Sequence, residues 1–161
     1  MTDDDQPTDK PLGPTPGFLV WRLSMKWRVA VDRALAPLGL THAQYALLAS
    51  LFGMTRSGTS PTQRELADHA GLEALYVSKL ARTLEADGLI ERTRDPKDTR
   101  AVRLALTGQG NEKTAAAIAI VHDLLDRLVA PLGGLDGAEA QEFSRRLRQL
   151  LDVPLDVPLD V

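Results

Sequence analysis

The sequence predicts a mainly α-helical protein with one β-hairpin, and three observations support this fold class. Apolar residues recur at three- and four-residue spacing through most of residues 17–151, which is the periodicity of amphipathic helices. Two short alternating runs, at 89–94 and 101–106, flank a polar connection that contains a proline, as hairpin strands do. The 161 residues, 43% apolar and 25% charged, are typical of one globular domain, or of a small domain with an oligomerisation arm.

Both termini differ from this pattern. Residues 1–16 contain four prolines and four aspartates, and we expect this acidic tail to be disordered because it cannot bury enough apolar surface. Residues 152–161 repeat Asp-Val-Pro-Leu, and the prolines predict an extended tail. Because each tail has a net charge of −3 and the whole chain has −3, residues 17–151 between them carry +3.

The first two helices are marked by apolar periodicity and by a cap. Apolar spacing predicts a helix over 17–36, which Pro37 ends. Thr41 and Gln44 have the spacing of a capping box, which predicts a second helix that runs to about Gly53.

A pair of helices follows a short polar linker. Thr62 and Glu65 form a second capping box, which opens a short helix that ends at Gly71. The next helix is predicted over 73–87, with Gly88 as its C-terminal stop. A short helix, a turn with a glycine and a second helix make the helix-turn-helix pattern.

The second half of the chain predicts the hairpin and two more helices. Strands at 89–94 and 101–106 form the hairpin, Thr107 caps a long helix over 108–130, and a last helix covers 137–151. A helix-turn-helix followed by a hairpin is a winged helix, an α+β lobe within a mainly α protein.

The element order also predicts how the chain is divided. We expect a winged helix-turn-helix DNA-binding domain over 41–107. The outer segments, 17–38 and 108–151, have apolar stripes too long for so small a centre to cover. We therefore expect them to form a helical dimerisation region against a second copy of the chain.

The helix predicted over 73–87 has an outward face that fits the DNA major groove. This face contains Leu75, Ser78, Lys79 and Arg82, with Tyr76 beside it. Lys79 could donate to guanine, Leu75 could meet a thymine methyl group, and Tyr76 could bind phosphate. An ordinary solvated helix face has the same pattern, so this helix alone leaves both interpretations open.

Two neighbouring groups favour DNA binding. Thr62, Gln63 and Arg64 place polar side chains and free backbone N–H groups at a helix start, where a phosphate could sit. The hairpin adds five bases, Arg92, Arg94, Lys97, Arg100 and Arg103, of which we assign Arg94, Lys97 and Arg100 to DNA contacts. An arginine at the tip can enter a narrow minor groove, and we expect Asp98 to hold the Arg100 guanidinium by a paired hydrogen bond. A solvated, charge-balanced loop is the alternative.

Five stretches then occur in a fixed order: LTHAQYALL at 40–48, TQRELA at 62–67, VSKLARTLEADGLIER at 77–92, DPKDTR at 95–100 and LTGQG at 106–110. Together they resemble the multiple antibiotic resistance regulator (MarR) family of bacterial transcription factors. The resemblance implies a homodimer with intertwined outer helices and two recognition helices in successive major grooves. Such dimers bind pseudo-palindromic double-stranded operators with half-sites roughly 34–36 Å apart.

By position, the recognition-helix contacts of the family fall on Ser78, Lys79 and Arg82, and its wing-tip pair falls on Asp98 and Arg100. The sequence departs from the family at Leu75 and Tyr76, where many relatives have small hydroxyl residues. The resemblance therefore implies DNA binding without fixing the preferred base sequence.

The resemblance also implies a possible small aromatic ligand, because many members are repressors released by aromatic or phenolic acids. Candidate effector-binding residues are Trp21, Arg22, Trp27, His42 and Tyr45. Arg22 could pair with a carboxylate while an aromatic ring stacks on the ligand. The alternative is that Trp27 and Tyr45 belong to the core and that Arg22 is a surface cation.

Several function classes are excluded by what the sequence lacks. With no cysteine there is no disulfide, thiolate metal site or thiol-based peroxide sensor. The three histidines lack metal-type spacing, and neither a glycine-rich phosphate loop nor a Gly-x-Ser-x-Gly elbow occurs, so we expect no cofactor, no metal and no enzyme. No apolar run approaches the about 20 residues that span a bilayer.

We therefore predict a cytoplasmic, nucleoid-associated transcriptional regulator, most simply a homodimeric repressor. A winged helix that contacts only other proteins is the alternative.

Overall fold

In the described part of the chain, six α-helices and one antiparallel hairpin follow one another in the predicted order. The structure is a computed structural model and describes residues 13–56, 58 and 60–155. Its elements are α1 (Pro16–Leu35), α2 (His42–Thr55), α3 (Gln63–Ala70), α4 (Ala74–Ala86), β1 (Ile90–Arg94), β2 (Val102–Leu106), α5 (Gly108–Leu128) and α6 (Ala138–Leu151). The mainly α fold with a winged helix-turn-helix is confirmed.

The predicted caps form as hydrogen bonds. The Thr41 hydroxyl accepts from the Gln44 N–H at 3.2 Å, and the Gln44 side chain accepts from the Thr41 N–H at 2.9 Å. Thr62 and Glu65 repeat this reciprocal pair at the start of α3. The Thr107 hydroxyl accepts from the N–H of Gly110 and donates to the carbonyl of Gly88, so this one side chain also joins α5 to the end of α4.

The termini of the helical region differ slightly from the prediction. α1 begins inside the predicted tail because the Thr15 hydroxyl accepts from the Phe18 N–H, and Pro16 suits the first helical position. The rest of the predicted disorder, residues 1–12, lies outside the described residues. At the other end, 152–155 follow α6 without helix or strand, and 156–161 also lie outside the described residues.

α1 and α5 end earlier than predicted, and for the same reason. α1 and α5 each pass into a short 3₁₀ turn with the sequence Ala-Pro-Leu, Ala36–Leu38 and Ala130–Leu132. A glycine with positive φ follows each turn, 67° at Gly39 and 86° at Gly133, and stops the chain from continuing as a helix.

The hairpin is joined to the helix-turn-helix along one strand. β1 and β2 pair from Ile90 opposite Leu106 to Arg94 opposite Val102. On the outer side of β2, the Leu104 N–H donates to the carbonyl of Pro61 at 2.9 Å. The segment before α3 therefore fixes the wing relative to the helix-turn-helix.

One apolar core connects the winged lobe with the inner faces of α1, α2 and α5. Its largest fully buried side chains are Val31, Leu35, Leu47, Leu48, Leu51, Leu66, Val77, Leu84, Leu89, Ile90 and Leu104. The predicted inward stripe of α4 is part of this core, with Val77, Ala81 and Leu84 buried and Leu80 partly buried. The opposite face of α4 is thereby held outward.

The outer helices leave much apolar surface uncovered. In α6 only Ala140 is buried, while Phe143, Leu147 and Leu150 are exposed. The first half of α1 likewise exposes a run of large apolar side chains: Phe18, Leu19, Val20, Trp21, Leu23 and Met25. Among the described residues, no helix is both long and apolar enough to cross a membrane.

We predict that Gly110→Ala destabilises the protein although alanine favours helices. A Cβ at Gly110 would lie 1.9 Å from the carbonyl oxygen of Leu89, so α5 must move away from the start of β1. We expect a loss of about 1–3 kcal/mol, as for other overpacked sites, in urea unfolding. Gly108→Ala is the control, because a Cβ there meets nothing within 4 Å. It should stabilise by roughly 0.5–1 kcal/mol, and equal effects of the two changes would contradict the packing argument.

Candidate nucleic-acid interface

The start of α3 supplies one part of the predicted interface. Thr62 is the N-cap, and both its hydroxyl and its amide are bonded to Glu65, so it positions the helix start. The side-chain Oε1 of Gln63 accepts from Arg92 Nε at 3.3 Å, which leaves the side-chain Nε2 of Gln63 to donate. Arg64 is exposed. The first turn of a helix also presents N–H groups that have no intrahelical acceptor.

All five predicted residues of α4 lie together on its outward face. They line a shallow groove, here called the α4 groove, whose residues are Glu73, Leu75, Tyr76, Ser78, Lys79 and Arg82. Leu75 is 82% exposed, and Lys79 and Arg82 are exposed beside it. Glu73 is a member that the sequence analysis did not single out, although it lies only two residues before Leu75.

The wing forms a second groove with the start of α3. This wing groove is lined by Thr62, Gln63, Arg64, Ala74, Asp95, Lys97, Asp98, Arg100, Ala101, Val102 and Arg103. It brings together the predicted residues of α3 with those of the wing tip. Arg94 is exposed at the end of β1 and does not line either groove.

The bases of this surface fall into two groups. Within the described part of the chain, the charged ends of six have no acidic partner: Arg64, Lys79, Arg82, Arg94, Lys97 and Arg100. Arg92 instead donates to Glu85 at 3.2 Å and to Gln63, and Arg103 contacts Asp95 and the Ser60 carbonyl. The six unpaired bases are the ones that the sequence analysis assigned to DNA contacts.

Asp95 organises the turn of the wing. Its side chain is buried, with 4% of its surface exposed, and accepts from the N–H groups of Lys97 at 2.6 Å and Asp98 at 3.0 Å. The Arg103 Nε lies 2.5 Å from its other oxygen. These backbone hydrogen bonds, followed by the bond from Arg103, hold the pKa of Asp95 below its ordinary value.

The prediction that Asp98 pairs with the Arg100 guanidinium is wrong. Asp98 instead accepts from the backbone N–H of Arg100 at 3.0 Å, because a short aspartate side chain reaches the amide two residues ahead most easily. Asp98 therefore shapes the turn and leaves the guanidinium free. The sequence analysis named Arg103 only as one of the wing bases and did not predict its pair with Asp95, although an aspartate followed by proline at a strand end is a turn signal.

Comparison with known proteins identifies this arrangement. The model of the MarR family matches residues 40–102. The uncharacterized HTH-type transcriptional regulator YdcH of Bacillus subtilis is 43% identical over 110 residues, which cover 68% of this chain and 75% of YdcH. The chain belongs to the MarR family. It is therefore a DNA-binding transcriptional regulator of MarR type.

Other MarR-type proteins match over more of the chain. The HTH-type transcriptional repressor Rv2887 of Mycobacterium tuberculosis is 30% identical over 146 residues, covering 88% of this chain and 94% of Rv2887. The S. aureus MepR–DNA complex has a TM-score of 0.75 at 27% identity, covering 85% of this chain and 96% of MepR. CouR from Rhodococcus jostii RHA1, bound to p-coumaroyl-CoA, has a TM-score of 0.72 at 26% identity, covering 89% and 95%.

The five candidate effector residues lie in different surroundings of this MarR-type chain. Trp21 is exposed on α1, and the Arg22 guanidinium lies 5.9 Å from the centre of the Phe18 ring. Trp27 packs against the core and lines a groove of about 210 Å³ between α1 and α5.

The other two candidates are on α2. The N–H of His42 donates to Asp32 at 2.6 Å. Tyr45 packs against the core, and its burial raises its pKa. Within the described residues, no group of three histidine, aspartate or glutamate side chains could hold a metal ion.

We predict that Asp95→Asn loosens the wing of this MarR-type protein. The change removes the charge opposite Arg103, so it should lower the melting temperature and increase amide hydrogen exchange at residues 95–103. Because the folded-state pKa of Asp95 is lowered, its stabilisation is present above its unfolded pKa and disappears as the pH falls through the folded value.

The difference in melting temperature between parent and variant should therefore shrink toward acid pH. Asp98→Asn, which changes an exposed carboxylate of the same turn, is the control and should have a smaller effect. A difference that grows with acid would contradict this role of Asp95.

Proposed function

We propose that the protein is a homodimeric repressor that binds pseudo-palindromic promoter sites. One observation carries the proposal: the six unpaired bases lie on α3, α4 and the wing, which are the elements that contact DNA in winged helices. In this proposal residues 41–107 are the DNA-binding domain, 17–38 and 108–151 are the dimerisation region, and the protein has no catalytic activity. It acts in the cytoplasm, at the nucleoid.

Each group of the interface has a distinct task. The α4 groove enters the major groove, where Lys79 donates to guanine and Ser78 and Arg82 bind base edges or phosphates. Thr62, Gln63 and Arg64 form the phosphate contact at the start of α3. Arg100 enters the minor groove, while Lys97 and Arg94 lie along the backbone and Asp98 shapes the turn. The S. aureus MepR–DNA complex, a structural neighbour, supports DNA binding by this fold.

Dimerisation would cover the exposed apolar faces of the outer helices. The contacts within one chain leave Phe143, Leu147 and Leu150 of α6 in water, together with the large apolar side chains of α1. An apolar area of this extent is typical of a protein–protein interface. A second copy would place two α4 helices on one side of the dimer, as a two-fold operator requires.

A small aromatic ligand would release the DNA. The p-coumaroyl-CoA bound by CouR supports a ligand of this kind. Our candidate effector residues remain Trp21, Arg22, Trp27, His42 and Tyr45, with Arg22 facing an acidic group. Such a ligand can act only by binding one dimer shape more tightly than the other. In the favoured shape, the distance between the two α4 helices would no longer match the distance between successive major grooves.

We predict that Lys79→Ala weakens binding to the specific site by about 1–3 kcal/mol and relaxes the preference at one base pair. Arg100→Ala should also weaken binding, most strongly at sites with a narrow, A·T-rich minor groove. Fluorescence anisotropy with DNA from the promoter of the protein's own gene, against a scrambled duplex, measures both effects. Lys113→Ala, on α5 and outside both grooves, is the charge-matched control. Equal affinities of all four proteins would contradict the assignment.

The same assay at two salt concentrations tests the alternative of a winged helix that contacts only proteins. A dimer that neutralises 6–10 phosphates should lose about 10³–10⁵ in affinity between 50 and 200 mM salt. Weak binding that is indifferent to both sequence and salt would favour the protein-contact alternative.

We predict that Leu147→Asp produces monomers or aggregates, because it would bury an unpaired charge in the dimer. Gln149→Asp introduces the same charge in the same turn of α6, at an exposed position outside the apolar face, and should leave the oligomeric state unchanged. Sedimentation velocity distinguishes the species. An intact dimer of Leu147→Asp that still binds DNA would place the interface elsewhere.

A further inference from the structure

Glu73 is an unexplained acid on the DNA-facing surface. It lines the α4 groove beside Leu75 and Lys79 and is exposed. It occupies the N-cap position of α4, yet its side chain does not cap the helix. In the part of the chain that the structure describes, its carboxylate has neither a hydrogen bond nor an ion pair.

The neighbouring acids differ from Glu73 in this respect. Asp95 and Asp98, which line the wing groove, accept hydrogen bonds within the turn. Glu85, the acid within α4, is paired with Arg92. A free carboxylate repels phosphates, so at this position it weakens general attraction to DNA.

A carboxylate in the major groove can only accept hydrogen bonds, so it distinguishes the four bases by the donors and acceptors that they present there. Guanine presents the acceptors N7 and O6 there, and thymine presents the acceptor O4, so both repel it. Adenine has an N6 donor, but the acceptor N7 lies next to it. Cytosine alone presents its N4 amino donor without an acceptor on the same edge. The charge therefore penalises three bases and favours one.

Leu75 supplies the neighbouring contact. It is 82% exposed, and apart from Tyr76 the other exposed large apolar side chains among the described residues lie on α1, on α6 or just after α6. Leu75 lines the same groove as Glu73. An apolar group at this position suits the methyl of a thymine beside the cytosine.

We propose that Glu73 selects a cytosine in each half-site by accepting a hydrogen bond from its N4 amino group, next to a thymine whose methyl group contacts Leu75. This inference rests on the proposed DNA-binding function and adds a specificity-determining residue to it. Glu73 lowers the affinity for DNA in general and raises the preference for one sequence.

The test is selection of duplexes from a random pool by the full-length parent, Glu73→Gln and Glu112→Gln. Glu112 is also an exposed glutamate near a helix start, but it lies on α5 outside both grooves. We expect the parent and the control to enrich sites with one cytosine beside a thymine in each half-site. Glu73→Gln should keep the other positions and lose about tenfold in preference for that cytosine.

Anisotropy with the selected site and with a random duplex separates base reading from simple repulsion. In Glu73→Gln the affinity for random DNA should rise severalfold while the affinity for the selected site falls. Equal rises for both duplexes would show that Glu73 only repels DNA, which overturns the proposal. Unchanged preferences at every position would overturn it too.

Deoxyuridine in place of the adjacent thymine deletes only the methyl group. The parent should bind this probe severalfold more weakly, whereas Leu75→Ala should not distinguish the two probes. If Leu75→Ala still binds the deoxyuridine probe more weakly than the thymine probe, the proposed contact between Leu75 and the methyl group is overturned. If the parent enriches no sequence at all, the proposed DNA-reading function fails, which is a different result from an enriched site without the cytosine.

Discussion

The contact between the buried Asp95 carboxylate and the partly exposed Arg103 is the interaction on which the geometry of the surface proposed for DNA depends. It closes the wing turn through the amides of Lys97 and Asp98, and Arg103 also reaches the Ser60 carbonyl just before α3. The wing tip and the start of α3 are thus held on one frame. The pair between Asp95 and Arg103 therefore fixes the distance between the wing tip and the start of α3, two elements that are proposed to contact DNA.

The helices could be predicted from the sequence because their signals are local. Thr41, Thr62 and Thr107 each cap within three residues, so spacing alone identifies them. The Asp95–Arg103 pair could not be predicted this way, because its partners meet only when β1 and β2 pair in one register. For Asp98 the spacing was misleading. Its distance from Arg100 in the sequence suggested a pair between the two side chains, but the backbone N–H of Arg100 is nearer and donates to the Asp98 carboxylate.

The distribution of charge on this chain is more informative than its net charge. The chain as a whole has a net charge of −3. Six basic side chains on α3, α4 and the wing nevertheless have no acidic partner, whereas Arg92 and Arg103 form ion pairs with Glu85 and Asp95. Asp95 and Asp98, which line the wing groove, also accept hydrogen bonds within the protein. The net charge therefore says little about partners. The unpaired groups of this surface indicate an attraction to phosphates, and among the described acids that line the two grooves Glu73 is the one without a partner to oppose it.

α5 connects the surface proposed for DNA with the surfaces proposed for dimerisation and ligand. At its start, Gly110 approaches the Leu89 carbonyl so closely that no side chain fits, and Thr107 bonds to Gly88 at the end of α4. Toward its end, Leu124 and Leu128 face Trp27 of α1 across the groove between these helices. A helix of 21 residues spans about 31 Å and moves as a unit. A change in how α1 packs against α5 would therefore shift the end of α4 as well, because the glycine contact leaves no room for the two to slide independently.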